Sequence, residues 1–185
     1  MTLTPANQLT LLRMLLIPAF VILVVYGHLG WALVVFTTAG ITDALDGVIA
    51  RRSGQYSRLG AWLDPMADKL LLVTTFVVLS LPGLNLTNRL PAWLTILIIS
   101  RDVVIVATVA IVNLAIGRRT FLPSLYGKVA TATYIVTAVC AMLFNYRGYH
   151  SLLVDLCVWA SLAITLISAL HYIWHARRII EAPGT

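Results

Sequence analysis

The sequence predicts an all-α integral membrane protein with six transmembrane helices. Three observations predict this class: 60% of the 185 residues are hydrophobic, only 11% are charged, and long apolar stretches recur along nearly the whole chain. A stretch of about 20 apolar residues is long enough to cross a bilayer. An ordinary soluble domain carries about 25% charged residues, and a disordered chain is more polar still. The composition excludes both classes, so we expect one compact transmembrane domain over residues 1–185.

The first three predicted spans differ in how their polar residues are placed. The first runs from about 9–26 and contains Pro18. The second, about 30–52, begins apolar and becomes polar in its last third. The third, about 64–81, reverses that order and stops at Pro82-Gly83, a pair of residues that ends helices. The polar ends of spans two and three therefore face the same loop.

The last three predicted spans cover about 91–116, 128–144 and 152–174. The pair Arg101-Asp102 lies in the middle of span four. Charged residues at such depth are costly, so we expect this pair either to be functional or to neutralise itself.

The basic residues in the loops predict the orientation in the membrane. One side of the bilayer receives eight of them: Arg51, Arg52, Arg58, Arg118, Arg119, Lys128, Arg177 and Arg178. The other side receives two, Arg89 and Arg147. The side with more basic residues is normally cytoplasmic, so we expect a multi-pass protein of the cytoplasmic (inner) membrane. No basic run exceeds two residues, so the net charge of +6 does not indicate a nucleic-acid partner.

Four of the seven acidic residues fall in one short window, as Asp43, Asp46, Asp64 and Asp68. The first two are three positions apart and the other two are four apart, so on helices each pair shares one face. Spans two and three are antiparallel neighbours, which lets the two faces meet. Four carboxylates favour hard divalent cations such as Mg²⁺ or Mn²⁺. We therefore expect a metal site open to the cytoplasm.

Three residues between these aspartates fit a site for phosphate. Gly47 and Gly60 permit close approach of a ligand, and Arg51 offers a planar fork of donors to phosphate oxygens. Two alternatives remain open from composition alone. The aspartates could form interhelical salt bridges with neighbouring basic residues, or they could line a divalent-cation transporter.

The window resembles the signature of the CDP-alcohol phosphatidyltransferase family, D-x2-D-G-x2-A-R-x8-G-x3-D-x3-D. All eight fixed positions are present between Asp43 and Asp68 at the family's spacing. The segment from Asn7 to Arg13 is similar to the family's N-terminal N-x-L/I-T-x-x-R element. Six spans in a chain of this length also fit the family.

The resemblance implies a reaction and a set of roles. A CDP-linked lipid, CDP-diacylglycerol, donates its phosphatidyl group to an alcohol in the bilayer, and CMP leaves. Two Mg²⁺ or Mn²⁺ ions are expected, one on Asp43, Asp46 and Asp64 and the other on Asp43, Asp64 and Asp68. Asp68 is also expected to act as the general base. The residues expected around the cytidine and diphosphate are Gly47, Ala50, Arg51 and Gly60.

The resemblance extends to two subfamilies that use different acceptors. Phosphatidylglycerophosphate synthase uses glycerol 3-phosphate, and CDP-diacylglycerol-dependent cardiolipin synthase uses phosphatidylglycerol. The sequence 64–69 and the N-terminal element resemble the first, whereas 100–103 and 122–129 resemble the second. Both acceptors carry a phosphate, so Arg101 and Lys128 are the expected acceptor-binding residues. Small-residue helix faces would also permit a homodimer.

Overall fold

The computed structural model describes the backbone of residues 5–53, 58–115 and 125–181, and the side chains of residues 10–42, 66–111, 114 and 125–174. Within these ranges the chain forms six helices and no strand. The helices are α1 (Pro5–Val25), α2 (Leu29–Ser53), α3 (Arg58–Ser80), α4 (Ala92–Ala115), α5 (Leu125–Arg147) and α6 (Leu152–Glu181). The predicted all-α fold with six helices is confirmed.

Three stretches of the described helices are long and apolar enough to cross a membrane, namely Ala92–Ile111, Leu125–Arg147 and Leu152–Trp174. Two shorter apolar stretches, Thr10–Val25 and Leu29–Thr42, lie in α1 and α2. Both helices continue past their apolar stretches. The polar last third of span two is helical, so α2 carries its aspartates on a continuous helix.

The helices are divided between two units, each of which has its own packing. The first unit contains α1, α2, α3 and the end of α5 from Ala138 onward. The second unit contains α4, α5 up to Thr137, and α6.

In the first unit, α1 packs against both α2 and α3 along a single stripe of buried residues. The stripe consists of Thr10, Arg13, Ile17, Phe20 and Val24, each at most 6% exposed. Its alternating spacing of three and four residues keeps these side chains on one face of the helix. The opposite face exposes leucine and isoleucine, as expected for a surface in contact with lipid. Arg13 is the only charged residue in this seam.

Small residues and aromatic rings make the α1–α2 contact. Ala32, Phe36 and Ala39 form the buried stripe of α2, and the rings of Phe20 and Phe36 lie 6.1 Å apart between centroids. Alanine at such positions lets helix backbones approach closely. The turn between the helices is made by Gly27, whose φ of +77° is a left-handed conformation that glycine adopts without strain.

A second polar feature of the first unit ties the segment after α3 to the end of α5. The backbone N–H of Asn88 donates to Oδ1 of Asn145 at 2.6 Å, and Nδ2 of Asn145 donates to the carbonyl of Asn88 at 3.1 Å. Nδ2 of Asn88 donates to the carbonyl of Tyr149 at 2.9 Å, and Oδ1 accepts from the backbone N–H of Ser151 at 2.9 Å. Asn88 is only 4% exposed, so these bonds satisfy polar groups that water does not reach.

In the second unit, α6 presents a similar stripe that changes from apolar to polar along its length. Val154, Val158, Ser161, Thr165 and Ser168 are all at most 7% exposed and again alternate in spacing. The hydroxyl groups of the last three residues contact side chains of α4 and α5. The α6 stripe therefore joins the second unit partly through hydrogen bonds rather than through apolar contact alone.

We expect Asn88→Ala to destabilise the protein because it removes two part-buried side-chain hydrogen bonds and leaves the carbonyl of Tyr149 and the N–H of Ser151 without these partners. The expected loss is about 1–3 kcal/mol, which should lower Tm in detergent by at least about 3 °C. Asn85→Ala is the matched control, since Asn85 lies in the same segment and is exposed. Equal melting temperatures for the two variants would contradict a stabilising role for Asn88.

Candidate active site

The four aspartates of the predicted metal site lie on two helices that contact each other, α2 and α3. Asp43 and Asp46 are in the last third of α2, and Asp64 and Asp68 are in the first half of α3. Spacings of three and four residues on these helices put each pair on one face, as the sequence predicts. The side chains of Asp43, Asp46 and Asp64 lie outside the described residues.

Asp68 is the one predicted metal ligand whose side chain the structure describes. Its carboxylate is 43% exposed, and Oδ1 accepts a hydrogen bond from Nη1 of Arg13 at 2.5 Å. The Arg13 side chain is fully buried. The contact is a short, charge-assisted hydrogen bond between α1 and α3. It brings a cation from the N-terminal helix to the aspartate window.

Arg13 belongs to the N-terminal element, and the sequence alone leaves it open between a contact to lipid headgroups and a residue of the site. A usable signal was present. The signal is the charge itself, because an arginine within an apolar span is expected to face neighbouring helices rather than lipid. Such an arginine needs a carboxylate partner, and the aspartates of spans two and three are the candidates in the sequence.

Arg101 is held by two groups in the second unit. Its Nη1 donates to Oδ1 of Asp102 at 2.9 Å, and its Nη2 donates to Oγ of Ser168 on α6 at 2.5 Å. The side chain is 11% exposed, and Nε is buried with no hydrogen-bond partner among the described residues. Ser168 was not part of the predicted site. The pair with Asp102 is the self-neutralising arrangement that the sequence left open.

Lys128, the other expected acceptor-binding residue, lies in the first turn of α5 and is exposed. Arg101 and Lys128 both belong to the second unit, whereas Asp68 belongs to the first. The residues expected around the donor, Gly47, Ala50, Arg51 and Gly60, have side-chain positions outside the described residues.

No group of three or more metal-ligating side chains occurs among the residues whose side chains are described. Asp68 is among these residues, but its three predicted co-ligands are not. The metal site therefore stays a prediction. The chemistry that supports it is the set of four carboxylates on two contacting helices, because oxygen donors suit Mg²⁺ and Mn²⁺.

Comparison with known proteins identifies the family. The model of the CDP-alcohol phosphatidyltransferase family matches residues 3–170. A protein of Mycobacterium tuberculosis named "Probable phosphatidylglycerophosphate synthase" is 31% identical over 95% of this chain and 82% of its own length. Cardiolipin synthase (CMP-forming) of Streptomyces coelicolor is 31% identical over 97% of this chain and 86% of its own. The human cardiolipin synthase (CMP-forming) is 33% identical over 96% of this chain and 63% of its own.

The chain belongs to the CDP-alcohol phosphatidyltransferase family, which the aspartate signature and the N-terminal element had indicated. It is a membrane enzyme of phospholipid synthesis that transfers a phosphatidyl group from a CDP-alcohol donor to an alcohol acceptor. This assignment favours catalysis over the acid-lined cation transporter that composition alone had left open.

Proposed function

We propose that this enzyme moves the phosphatidyl group of CDP-diacylglycerol to a phosphate-bearing, glycerol-type acceptor and releases CMP. The acceptor is glycerol 3-phosphate or phosphatidylglycerol. The observation that carries the proposal is the complete aspartate signature on the contacting helices α2 and α3. Relatives named for each of the two acceptor chemistries match the chain at similar identity, which supports this pair of acceptors.

The four aspartates Asp43, Asp46, Asp64 and Asp68 hold two divalent cations in this proposal. When bound, Mg²⁺ or Mn²⁺ would neutralise the charge of the donor diphosphate. The residues fit such ions, because all four are carboxylates and Asp68 keeps part of its surface exposed. Arg51 adds positive charge for the diphosphate, while Gly47, Ala50 and Gly60 leave room for the cytidine group.

Asp68 is the proposed general base. It accepts the proton of the acceptor hydroxyl as the hydroxyl oxygen attacks the phosphorus attached to diacylglycerol. A new oxygen–phosphorus bond forms, the diphosphate bridge breaks, and CMP leaves with the bonding electron pair. A half-exposed carboxylate suits this role, because the acceptor must reach it.

Arg101 and Lys128 are the proposed contacts to the acceptor phosphate. The hydrogen bonds to Asp102 and Ser168 fix the orientation of the Arg101 guanidinium, which is a condition for directional recognition of phosphate. Lys128 contributes an exposed positive charge at the start of α5. A purely structural Arg101–Asp102 pair is the competing interpretation, and the Arg101 variant described below separates the two.

We further propose that both units make up one transferase domain over residues 1–185, because the family model covers most of each unit. The excess of basic loop residues on one side supports an inner-membrane protein with its active site facing the cytoplasm. A homodimer is compatible with the small residues on the helix faces.

A product assay tests the proposed function. Purified enzyme in detergent receives CDP-diacylglycerol with Mg²⁺ or Mn²⁺, and glycerol 3-phosphate or phosphatidylglycerol is added separately. We expect CMP release with one acceptor, accompanied by phosphatidylglycerophosphate or cardiolipin respectively. No CMP with either acceptor, together with divalent-cation flux into vesicles containing the protein, would overturn the proposal in favour of a transporter.

We expect Asp64→Asn to lower the rate of CMP release at least about a hundredfold, because Asp64, like Asp43, is a proposed ligand of both ions and the substitution removes its charge. Loss of one electrostatic contact at a preorganised site costs roughly 3–4 kcal/mol. Asp155→Asn is the control, since Asp155 is an aspartate in the first turn of α6 and outside the signature. Turnover near wild type in purified, folded Asp64→Asn would contradict the two-ion site.

We expect Arg101→Lys to raise the acceptor KM at least about tenfold while the CDP-diacylglycerol KM stays nearly unchanged. Lysine keeps the charge but loses the planar fork of donors, and a tenfold change corresponds to about 1.4 kcal/mol. Arg89→Lys, at an exposed arginine, is the control. Equal weakening of both substrates would identify Arg101 as part of a structural pair, and an unchanged acceptor KM would remove it from the site.

A further inference from the structure

Arg13 is a buried cation in a packing seam that is otherwise made of uncharged residues. Its side chain has no exposed surface, and it lies between Thr10 and Ile17 on the face of α1 that packs against α2 and α3. A leucine or methionine would fill such a position without the desolvation that a guanidinium suffers. The packing of α1 therefore does not by itself explain an arginine here.

The contact with Asp68 is asymmetric in a way that points to function. Arg13 is fully buried, whereas the Asp68 carboxylate is 43% exposed. Replacing a buried ion pair with well-packed apolar residues is often neutral or stabilising, so such pairs are weak evidence for a purely structural role. The exposed partner, Asp68, is also the last residue of the family signature. The pair thus joins a fully buried donor to a carboxylate that is partly open to solvent.

Nη1 of Arg13 engages Oδ1 of Asp68 at 2.5 Å, across 55 positions of sequence. A carboxylate offers about four lone-pair positions, and this hydrogen bond uses one of them. Because the guanidinium is held by the seam between α1 and its neighbours, the bond restricts rotation of the Asp68 carboxylate. Reacting groups need such restriction, since a misplacement of about 1 Å can cost about a hundredfold in rate.

We propose that Arg13 is a positioning residue for phosphatidyl transfer, which sets the orientation of the Asp68 carboxylate from the N-terminal helix. The proposal rests on the function proposed above, in which Asp68 receives the proton of the acceptor hydroxyl. Arg13 itself contacts neither substrate in this account and acts through Asp68. It therefore affects the rate of transfer more than the binding of the CDP-linked donor.

The central test is a set of substitutions at Arg13, assayed by CMP release with whichever acceptor the wild type uses. Arg13→Met keeps a long side chain that the seam can accommodate but removes the hydrogen bond. We expect kcat to fall at least about thirtyfold while the KM for CDP-diacylglycerol changes less than about threefold. Arg13→Lys restores a single charged donor and should recover at least about fivefold of the lost rate. Ile17→Met, one turn further along the same seam, is the packing control and should stay within about twofold of wild type.

A double-mutant cycle with Asp68 separates positioning from a general structural role. If Arg13 acts through Asp68, adding Arg13→Met to Asp68→Asn lowers the residual rate by no more than about twofold, measured with radiolabelled acceptor over long incubations. A full multiplicative loss in the double variant would overturn the proposal, because Arg13 would then contribute independently of Asp68. Wild-type kcat in Arg13→Met would overturn it as well.

Misfolding of a variant and failure of the proposed function can both be told apart from failure of the positioning role. If Arg13→Met shows no melting transition in detergent and therefore does not fold, Arg13→Lys and Arg13→Gln replace it. Only lysine retains the charge, so equal kcat in these two variants would overturn the proposal. If the wild type releases CMP with neither acceptor, the proposed function fails. If the wild type turns over and the Arg13 variants match it, only the positioning role fails.

Discussion

The constraint on which this structure depends is that a charged group inside an apolar helix bundle must have a partner. Among the residues whose side chains are described, Arg13 in the first unit and Arg101 in the second are buried or nearly buried, and each is hydrogen-bonded to an aspartate. In the first unit the pair joins two helices, and its aspartate is half exposed. In the second unit the pair is formed by neighbours in the chain, and both members are largely buried. The same physical requirement thus yields a pair with a half-exposed carboxylate in one unit and a largely buried pair in the other.

The difference between these pairs bears on their roles. Arg101 has its Nη groups occupied by Asp102 and Ser168, so any phosphate it binds must approach a guanidinium that is already oriented. Arg13 lies in the α1 seam and donates to a half-exposed carboxylate. Both arrangements place fixed charge in a low-dielectric setting, where electrostatic contacts weaken little with salt.

Much of the fold follows from the sequence, because long apolar runs in so uncharged a chain leave few options besides membrane helices. The boundaries were less predictable. α1 begins at Pro5 rather than near residue 9, and α6 continues to Glu181, beyond the apolar run that ends at Trp174. Hydropathy reports the part of a helix that suits lipid, whereas backbone hydrogen bonding continues through polar residues. Proline is also tolerated at a helix start, where its missing N–H has no intrahelical partner.

The sequence predicted only part of the candidate site. The spacing of the aspartates gives their helices and shared faces, but it does not show which residue of another helix reaches them. In α1 the exposed Leu15 and the buried Ile17 are equally apolar, so hydropathy does not distinguish the lipid face from the packed face. The contact between Arg13 and Asp68 emerges only once the three-and-four spacing of the α1 stripe is combined with tertiary packing.

We propose that the four carboxylates on α2 and α3 hold two divalent cations for phosphatidyl transfer. The most direct measurement is the number of Mn²⁺ ions bound per chain, obtained by titrating the purified enzyme in detergent and following free Mn²⁺ by electron paramagnetic resonance. We expect two Mn²⁺ ions per chain in the presence of CDP-diacylglycerol and a clear loss of Mn²⁺ binding in Asp64→Asn. Absence of specific Mn²⁺ binding in the wild type, or binding that Asp64→Asn leaves unchanged, would contradict it.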